Sequence, residues 1–368
     1  MKILIVSPKN KTVFNFRGDL IKDMIACGNE VIVTGPNRDY LDDVYALGVS
    51  EFVEVPFTKD KARIKGDLDY YRRLKKVIRE RKPDLVFSYT IKPVVYGSLV
   101  AKANKVPHIC AMVTGLGRVY TSNGIKVRLL RMVTKRLYKR AFRACERVIF
   151  QNRDDIAEFV GNGYLPAEKT ALVNGSGVNM ERFVRTPLPS VPTFLMVSRI
   201  IREKGVFEFC EAARIVKAKH PEARFILLGG YDSSVGAIKP ESMEEFFADG
   251  TVEYPGEVKD AASFYNECAV FVLPSYYREG LPRTILEAMS CGRAVITTDW
   301  PGCREPITDG ENGFLVPVKD AAAIAERAEQ LISDPALLSR MSDAAYETCK
   351  TKYEVAIVNR QMREFIGY

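Results

Sequence analysis

Two glutamates in one short segment, Glu279 and Glu287, are the residues whose spacing most directly suggests chemistry. The segment 273–289 reads LPSYYREGLPRTILEAM, in which a strand pattern gives way to a loop and Pro282 opens a helix. Backbone N–H groups around 280–283 would form an anion cradle at that helix start. Carboxylates bind sugar hydroxyls because their oxygens accept hydrogen bonds. The pattern predicts two carboxylates that reach different parts of one ligand, although a loop Glu and a solvated helix Glu fit it equally well.

A second charged cluster, Arg199 and Lys204, lies in the segment SRIIREKG at 198–205. The two cations flank a predicted strand-to-helix turn, where Arg binds a diphosphate as a fork and Lys as a point charge. Gly205 near the helix start lets the backbone approach closely. Cations in a turn are more often simply solvated, so this cluster suggests a site mainly because it accompanies the two glutamates.

The elements that must position these residues follow an alternation of short apolar strands and helix-length segments. The strands are rich in Val and Ile and bounded by Gly, Pro or Asn, which predicts parallel sheets with helices on both faces. The predicted strands cover 2–7, 30–34, 52–55, 84–89, 108–113, 147–151, 170–173, 194–198, 224–228, 251–254, 270–273, 294–297 and 313–316.

A proline-rich stretch at 186–193 interrupts this pattern and is interpreted as a linker, because proline fits neither a helix interior nor a central strand. The sequence therefore predicts two doubly wound α/β domains, at 1–186 and 187–352. A helix within 353–368 is expected to cross back to the first domain. Ligands of such folds bind outside the carboxyl ends of the strands, so we expect a site in a cleft between the two sheets.

The net charge of +8 is divided unevenly along the chain. Residues 1–190 hold 34 Lys and Arg against 19 Asp and Glu, a net +15, whereas residues 191–368 have a net charge of −7. The first half is thus expected to face an anionic surface. The 8 cysteines are scattered without a C-x-x-C pair, and no apolar run approaches the roughly 20 residues that span a bilayer. These features predict a soluble, cytoplasmic protein.

Composition also disfavours several kinds of site. The only histidines are His108 and His220, and neither has the carboxylate spacing of a metal cluster or a Ser-His-Asp triad. The D-x-D sequence from Asp67 to Asp69 lies in a basic helical pattern and is interpreted as solvated charge. The segment GLGRVY at 115–120 lacks the third glycine of a dinucleotide fingerprint. We therefore expect no metal cofactor.

The two charged clusters together resemble the donor-binding signature of retaining glycosyltransferase family 4. Arg199 and Lys204 are followed by Glu279 and Glu287 within EGLPRTILEA. The resemblance implies the GT-B fold, two Rossmann-like domains that face each other across a cleft. Three further segments resemble a bacterial subgroup that extends saccharides on polyprenyl-diphosphate carriers: YTIKP at 89–93, VTGLG at 113–117 and WPGCRE at 300–305.

The resemblance implies a role for each signature residue. Arg199 and Lys204 would hold the donor diphosphate. Glu287 would bind the ribose hydroxyls, and Glu279 the hydroxyls of the donor sugar. The remaining implied donor contacts are the backbone of Gly280, Leu281 and Pro282, the base pocket at Gly256, Glu257 and Val258, and Gly18 in a glycine-rich loop read as NFRG at 15–18.

Acceptor contacts are expected from the first domain. Lys92 follows a strand end at the cleft-facing edge and would pair with an acceptor phosphate, although a solvated lysine fits nearly as well. Thr114 lies in the VTGLG segment and is a second candidate. His108 either contacts a sugar or is a partly buried polar residue at a strand start, and the second interpretation is favoured.

A basic helical pattern at 126–147 accounts for much of the positive charge, with nine basic residues against Glu146 alone. Apolar residues at 130, 133, 137, 141 and 145 form a stripe. The pattern predicts an interfacial helix on anionic lipid, or a surface helix that packs its stripe on its own sheet. No nucleic-acid-binding motif accompanies the charge. The residues expected to face the membrane are Arg128, Arg131, Lys135, Arg136 and Lys139.

The expected function is therefore a retaining, metal-independent glycosyltransferase acting at the inner face of the cell membrane. It would move a hexose or N-acetylhexosamine from a nucleotide sugar, expected to be UDP-linked, to a polyprenyl-diphosphate-linked saccharide. Neither a cofactor nor a nucleic-acid partner is expected. Two other classes stay open: a nucleotide-sugar epimerase or phosphorylase on a similar fold, and a non-catalytic polyanion-binding protein with salt-dependent binding.

Overall fold

The computed structural model describes residues 1–57, 64–117, 125–232 and 237–368, with the backbone alone at 64–65 and 125–133. The chain forms two compact units, Met1–Ser176 with Val358–Tyr368, and Gly177–Ile357. The first boundary thus lies before the predicted residue 186. The reason is packing: Val178 and Phe183 belong to the core of the second unit, and Ser290 Oγ donates to the carbonyl of Phe183 at 2.6 Å.

The first unit is built on a seven-stranded parallel sheet in the order β3-β2-β1-β4-β5-β6-β7. The strands are β1 (Lys2–Val6), β2 (Glu30–Gly35), β3 (Glu51–Glu54), β4 (Leu85–Tyr89), β5 (His108–Val113), β6 (Arg147–Phe150) and β7 (Thr170–Leu172). The helices described between them are α1 (Asn10–Ala26), α2 (Leu41–Tyr45), α3 (Ile64–Arg81), α4 (Ile91–Ala103), α5 (Ile125–Ala144) and α6 (Arg153–Gly161).

Helices cover both faces of this sheet, as the continuous apolar strands predict. Leu4 of β1 lies in one core cluster together with Leu74 of α3 and Phe142 of α5. Its neighbour Ile5 points to the opposite face and packs with Ile21 of α1. Successive strand side chains alternate between faces, so each apolar strand contributes to both clusters.

The second unit repeats the plan with a six-stranded parallel sheet in the order β10-β9-β8-β11-β12-β13. Its strands are β8 (Thr193–Val197), β9 (Arg224–Leu228), β10 (Glu253–Gly256), β11 (Val270–Leu273), β12 (Ala294–Thr298) and β13 (Gly313–Val316). Its helices are α7 (Val206–Lys217), α8 (Glu244–Ala248), α9 (Ala262–Glu267), α10 (Arg283–Ser290), α11 (Ala321–Ser333) and α12 (Pro335–Thr348).

The last helix, α13 (Val355–Ile366), begins in the second unit and ends in the first. Its start is tied to the second unit by the N–H of Val355, which donates to the carbonyl of Val178 at 3.0 Å. Further along, Met362 is buried in the first unit's core, and Arg363 forms an ion pair with Asp23 at 2.8 Å. Among the residues that the structure describes, none of the helices is long and apolar enough to span a bilayer.

The strand order of each sheet reverses direction at one point. This topological switch lies between β1 and β4 in the first unit and between β8 and β11 in the second. The loops that leave the two strands at a switch turn to opposite faces of the sheet, which leaves a crevice between them where ligands of open α/β sheets bind. In the second unit these are the loops that carry Arg199 and Lys204, and Glu279.

Candidate active site

The switch point of the second sheet brings Lys204 and Glu279 into direct contact. The ammonium of Lys204 forms an ion pair with Oε1 of Glu279, and the two side chains are 10% and 17% exposed. Ser275 Oγ lies 3.1 Å from the same oxygen. Removing either partner of such a shielded pair would leave an uncompensated charge with little water to solvate it. The loop after β8 and the loop after β11 thus form one polar site.

The loop after β8 is shaped by Gly205, which links a turn at Arg202–Lys204 to the start of α7. Gly205 has a φ of +77°, and a Cβ there would lie 2.2 Å from the carbonyl oxygen of Pro274. Only glycine avoids both the left-handed strain and this overlap. The close approach predicted for Gly205 is therefore made to the protein's own β11 loop.

Arg199, the other predicted diphosphate cation, is paired with Asp232 in the loop after β9. Its guanidinium carbon also lies 5.8 Å from the ring centre of Tyr277, and its side chain is 52% exposed. Sequence reasoning missed Asp232, because nothing in its local sequence distinguishes it from other polar loop residues. It reaches Arg199 because β9 is hydrogen-bonded to β8, so their carboxyl ends lie side by side.

Glu287 lies on α10 and is held on both carboxylate oxygens. The hydroxyl of Tyr265 donates to Oε2 at 2.9 Å, and Nε of Arg283 lies 3.2 Å from Oε1. Burial raises the pKa of Glu287, and the charge of Arg283 offsets part of that rise. The alternative of a fully solvated helix glutamate is therefore wrong. The helix begins at Arg283, with Pro282 as its cap rather than inside its first turn.

The predicted anion cradle before α10 is largely covered by the protein itself. Gly280, Leu281 and Pro282 are all buried, and the side chain of Leu281 belongs to the hydrophobic core. Gly302, in the loop after β12, lies against the carbonyl oxygens of Glu279 and Gly280. Any contact of this segment with a ligand must therefore be made through its backbone.

The predicted base pocket lies at the end of β10, the edge strand beside β9. The carbonyl of Gly256 accepts from the N–H of Gly229 at 3.0 Å, which fixes this strand end next to the loop after β9. Glu257 is exposed, whereas Val258 is half-buried against the core. These residues stand at the same edge of the sheet as Arg199.

Two residues predicted to contact ligands from the first unit are placed elsewhere. Gly18 lies within α1 rather than in a loop, because the helix already starts at Asn10. It is buried where a Cβ would approach the Leu47 side chain at 3.2 Å, so it serves helix packing. His108 begins β5 and pairs with Glu146 at 3.2 Å. The amino end of a strand lies at the edge opposite to the ligand-binding edge, so this position agrees with the favoured interpretation of a polar residue at a strand start. The side chain is exposed rather than partly buried.

Lys92 and Thr114 do lie at the carboxyl edge of the first sheet. Lys92 is in the first turn of α4, and its ammonium donates to Asp67 Oδ1 at 3.0 Å, with both side chains 24% exposed. The interpretation of Asp67 as solvated charge is therefore wrong. Thr114 directly follows β5 and is half-buried. Thr90, between β4 and α4, has a φ of +69°, a strained value for a β-branched residue at this edge.

The basic helix α5 packs one face on its own unit, with Tyr138, Ala141, Phe142 and the following Cys145 buried. The predicted stripe is thus shifted, because Leu137 is only half-buried while aromatic residues fill the core. Of the residues expected to face a membrane, Arg136 is exposed, whereas Lys135 and Lys139 are half-buried. Arg128 and Arg131 lie outside the described side chains. The exposed cations on the described part of the helix are Arg136, Arg140 and Arg143.

Comparison with known proteins extends these observations to the whole chain. The family model described as glycosyl transferases group 1 matches residues 181–348, and the model described as glycosyl transferase 4-like matches residues 2–152. A Campylobacter jejuni protein named N,N'-diacetylbacillosaminyl-diphospho-undecaprenol alpha-1,3-N-acetylgalactosaminyltransferase is 30% identical, over 99% of this chain and 98% of its own. An Escherichia coli UDP-Gal:alpha-D-GlcNAc-diphosphoundecaprenol alpha-1,3-galactosyltransferase is 25% identical over 87% and 82% of the two chains.

Solved structures share the fold at low identity. A glycosyltransferase from Rickettsia africae superposes with a TM-score of 0.79 at 19% identity, covering 99% of this chain and 97% of that one. Anabaena HepE, solved in complex with UDP, gives a TM-score of 0.79 at 17% identity over 100% of both chains. Two Rossmann-like units, the second with paired cations and carboxylates at its switch point, define the architectural class as GT-B. The chain belongs to the GT-B glycosyltransferase family, with a glycosyl transferase 4-like first half and a group 1 second half. It is therefore a glycosyltransferase.

Proposed function

We propose that this glycosyltransferase transfers a hexose or N-acetylhexosamine, with retention of configuration and without a metal ion, from a UDP-sugar to a saccharide linked to a polyprenyl diphosphate. The observation that carries the proposal is the meeting of Lys204 and Glu279 at the switch point of the second sheet. A cation for a phosphate and a carboxylate for sugar hydroxyls stand side by side there, as a sugar diphosphate requires.

The donor is assigned to the second unit. Arg199 and Lys204 bind the diphosphate, and binding replaces their present partners Asp232 and Glu279 with phosphate oxygens. Released from Lys204, the Glu279 carboxylate accepts hydrogen bonds from the donor sugar. Glu287, whose position is fixed by Tyr265, binds the ribose.

The reaction needs a leaving group that departs as an anion. The bond between the anomeric carbon and the diphosphate oxygen breaks, and the acceptor hydroxyl oxygen bonds to that carbon on the same face. The acceptor proton passes to the departing phosphate oxygen. Arg199 and Lys204 stabilise the charge that develops on the diphosphate, which is the role a metal ion plays in other transferases. This cation pair supports the proposal of metal-independent transfer.

The acceptor is assigned to the first unit, and its class is suggested by the relatives. The names of the Campylobacter jejuni and Escherichia coli proteins both specify a saccharide on diphospho-undecaprenol. Lys92, held by Asp67 at the carboxyl edge of the first sheet, is the proposed contact for an acceptor phosphate, with Thr114 beside it at the end of β5.

A lipid-linked acceptor implies contact with the membrane, and α5 supplies a suitable surface. Arg136, Arg140 and Arg143 are spaced four and three residues apart, so their exposed side chains share one face of the helix. Each basic residue near anionic lipid contributes about 1 kcal/mol. We propose that this face holds the enzyme peripherally on the cytoplasmic side of the membrane.

A donor panel tests the proposal. UDP-N-acetylgalactosamine, UDP-galactose, UDP-glucose, UDP-N-acetylglucosamine and GDP-mannose are first scored by thermal shift. Those that bind are then tested for transfer to an undecaprenyl-diphosphate-linked saccharide in the presence of EDTA. The expected result is an α-linked product from an α-linked UDP-sugar that forms equally well with chelator. A β-linked product contradicts retention, and activity that returns only with added metal contradicts metal independence.

A further inference from the structure

The turn at the end of β12 contacts the backbone of the loop that carries Glu279. The hydroxyl of Thr298, the last residue of that strand, donates to the carbonyl of Ser275. The buried thiol of Cys303 lies 3.8 Å from the same carbonyl oxygen. Residues 298–303, which we term the support turn, therefore contact the carbonyl of Ser275, near the start of the loop, through two separate side chains.

Gly302 of the support turn leaves no room for a side chain beside this loop. Its φ is +85°, and a Cβ at this position would lie 2.6 Å from the carbonyl oxygen of Glu279 and 2.7 Å from that of Gly280. Both neighbours are backbone atoms, which a side-chain rotation does not move away. An alanine here must displace the peptide that carries the Glu279 side chain.

Ser275 acts on Glu279 from the other end of the loop. Its side chain is fully buried, and Oγ accepts from the N–H of Tyr277 at 3.2 Å. Its single hydroxyl proton has two acceptors, Oε1 of Glu279 at 3.1 Å and the carbonyl of Glu203 at 3.3 Å. Ser275 therefore links the carboxylate to the loop that carries Lys204.

We propose that Gly302 and Ser275 are positioning residues that keep the Glu279 carboxylate at the place where it binds the donor sugar. This inference rests on the proposed function, because it takes Glu279 as the sugar-binding group. When diphosphate replaces Glu279 as the partner of Lys204, the Ser275 hydroxyl and the fixed backbone remain to hold the carboxylate. A displacement of about 1 Å in such a group lowers turnover on the order of 10²-fold.

The chain offers a matched control for Gly302. Gly310 has a φ of +76°, close to that of Gly302, and a Cβ at Gly310 would have no neighbour within 4 Å. Alanine at either position carries similar left-handed strain. Only alanine at Gly302 also pushes on the loop of Glu279. Comparing the two variants thus separates backbone strain from displacement of the carboxylate.

The experiment compares Gly302→Ala, Gly310→Ala and Ser275→Ala with the wild type at a temperature where circular dichroism shows each protein folded. UDP affinity is measured by calorimetry. The kcat and KM are measured with whichever of UDP-N-acetylgalactosamine and UDP-galactose the wild type turns over. We expect kcat to fall on the order of 10²-fold in Gly302→Ala and on the order of 10-fold in Ser275→Ala. UDP affinity should stay within about threefold of wild type, since UDP lacks the sugar that Glu279 binds.

The outcomes separate this inference from the function on which it rests. If Gly302→Ala and Ser275→Ala keep the kcat of Gly310→Ala while Glu279→Ala is inactive, the positioning role is overturned and the donor site stands. If Glu279→Ala keeps wild-type turnover, the proposed function itself fails. A merely structural effect would lower UDP binding and kcat together, and that result also overturns the positioning role. Should Gly302→Ala not fold, Ser275→Ala decides alone.

Discussion

The ammonium of Lys204 donates to the carboxylate of Glu279 although 75 positions separate the two residues along the chain. Both side chains are largely shielded from solvent, so each needs the other to offset its desolvation. The site is therefore charge-balanced without a ligand. Under the proposed function, a diphosphate that binds Lys204 competes with Glu279 and frees that carboxylate for the sugar.

Removal of the Glu279 carboxylate should affect turnover more than nucleotide binding. In Glu279→Ala we expect transfer to fall at least on the order of 10²-fold, because the lost contact is to the sugar. UDP affinity should not fall, and it should rise by less than about fivefold, because Glu279 competes with the diphosphate for Lys204. Steady-state kinetics and calorimetry with UDP measure the two quantities. Glu311→Ala, in an exposed loop of the same unit, is the control. Wild-type turnover in Glu279→Ala would disprove the assignment.

Arg199→Ala should weaken both nucleotide binding and sugar transfer, because a cation that contacts the diphosphate stabilises it in the bound donor and again as the leaving group. We expect UDP affinity and kcat each to fall about tenfold, in line with a half-exposed guanidinium–phosphate contact. Calorimetry and initial rates on the same preparation give the comparison. A variant with reduced kcat and unchanged UDP affinity would show that Arg199 does not hold the diphosphate of the bound nucleotide.

Asp232→Asn should strengthen UDP binding, because Asp232 is the carboxylate that competes with phosphate for Arg199. The expected gain is a few-fold at low salt, and it should shrink as salt screens the charges. Titrations with UDP at two ionic strengths measure it. The double variant with Arg199→Ala serves as the control and should show no gain. Weaker UDP binding in Asp232→Asn would mean that the carboxylate supports the nucleotide site rather than competing with it.

The exposed face of α5 should carry the membrane contact. Replacing Arg136, Arg140 and Arg143 together by Gln removes about 3 kcal/mol of attraction, so binding to anionic vesicles should weaken on the order of 10²-fold. Co-sedimentation with phosphatidylserine-containing liposomes measures the change. The control removes the same charge from exposed positions of the second unit: Lys239, Arg340 and Lys350. If both triple variants lose vesicle binding equally, net charge alone explains the binding and the exposed face of α5 is not the membrane contact.

The stability of the protein should depend on the protonation of Glu287. Burial raises its folded-state pKa, so the folded protein holds this proton more tightly than the unfolded chain does. The stabilisation of the folded state by this proton is fully present below the ordinary carboxyl pKa, and it is lost as pH rises through the raised pKa of Glu287. The Tm of Glu287→Gln relative to wild type should therefore increase from about pH 4 upward. A difference that stays flat or falls with pH, while Glu311→Gln stays parallel to wild type, would contradict this.

The strands of both sheets were predictable from short-range pattern. Each predicted strand corresponds to an observed one, and the largest displacement is in β10, predicted at 251–254 and found at Glu253–Gly256. Apolar runs bounded by Gly, Pro or Asn predict these strands because a strand that is buried on both faces consists of consecutive apolar residues. Gly18 was misplaced because a helix tolerates one glycine when a neighbour such as Leu47 fills the space beside it.

The sequence by itself determined which residues form the strands and which charged residues carry the family signature, since both are written in spacing along the chain. Tertiary structure alone decided their partners. Asp232 has no distinguishing local pattern, and it reaches Arg199 because the sheet order sets β9 beside β8. Lys204 likewise reaches Glu279 because β11 lies on the other side of β8. The partner of His108, Glu146, was likewise not predicted from local spacing, and both residues lie at the amino-end edge of the first sheet. The physical reason is that hydrogen bonding between strands fixes which loop ends meet, and no local spacing records that choice.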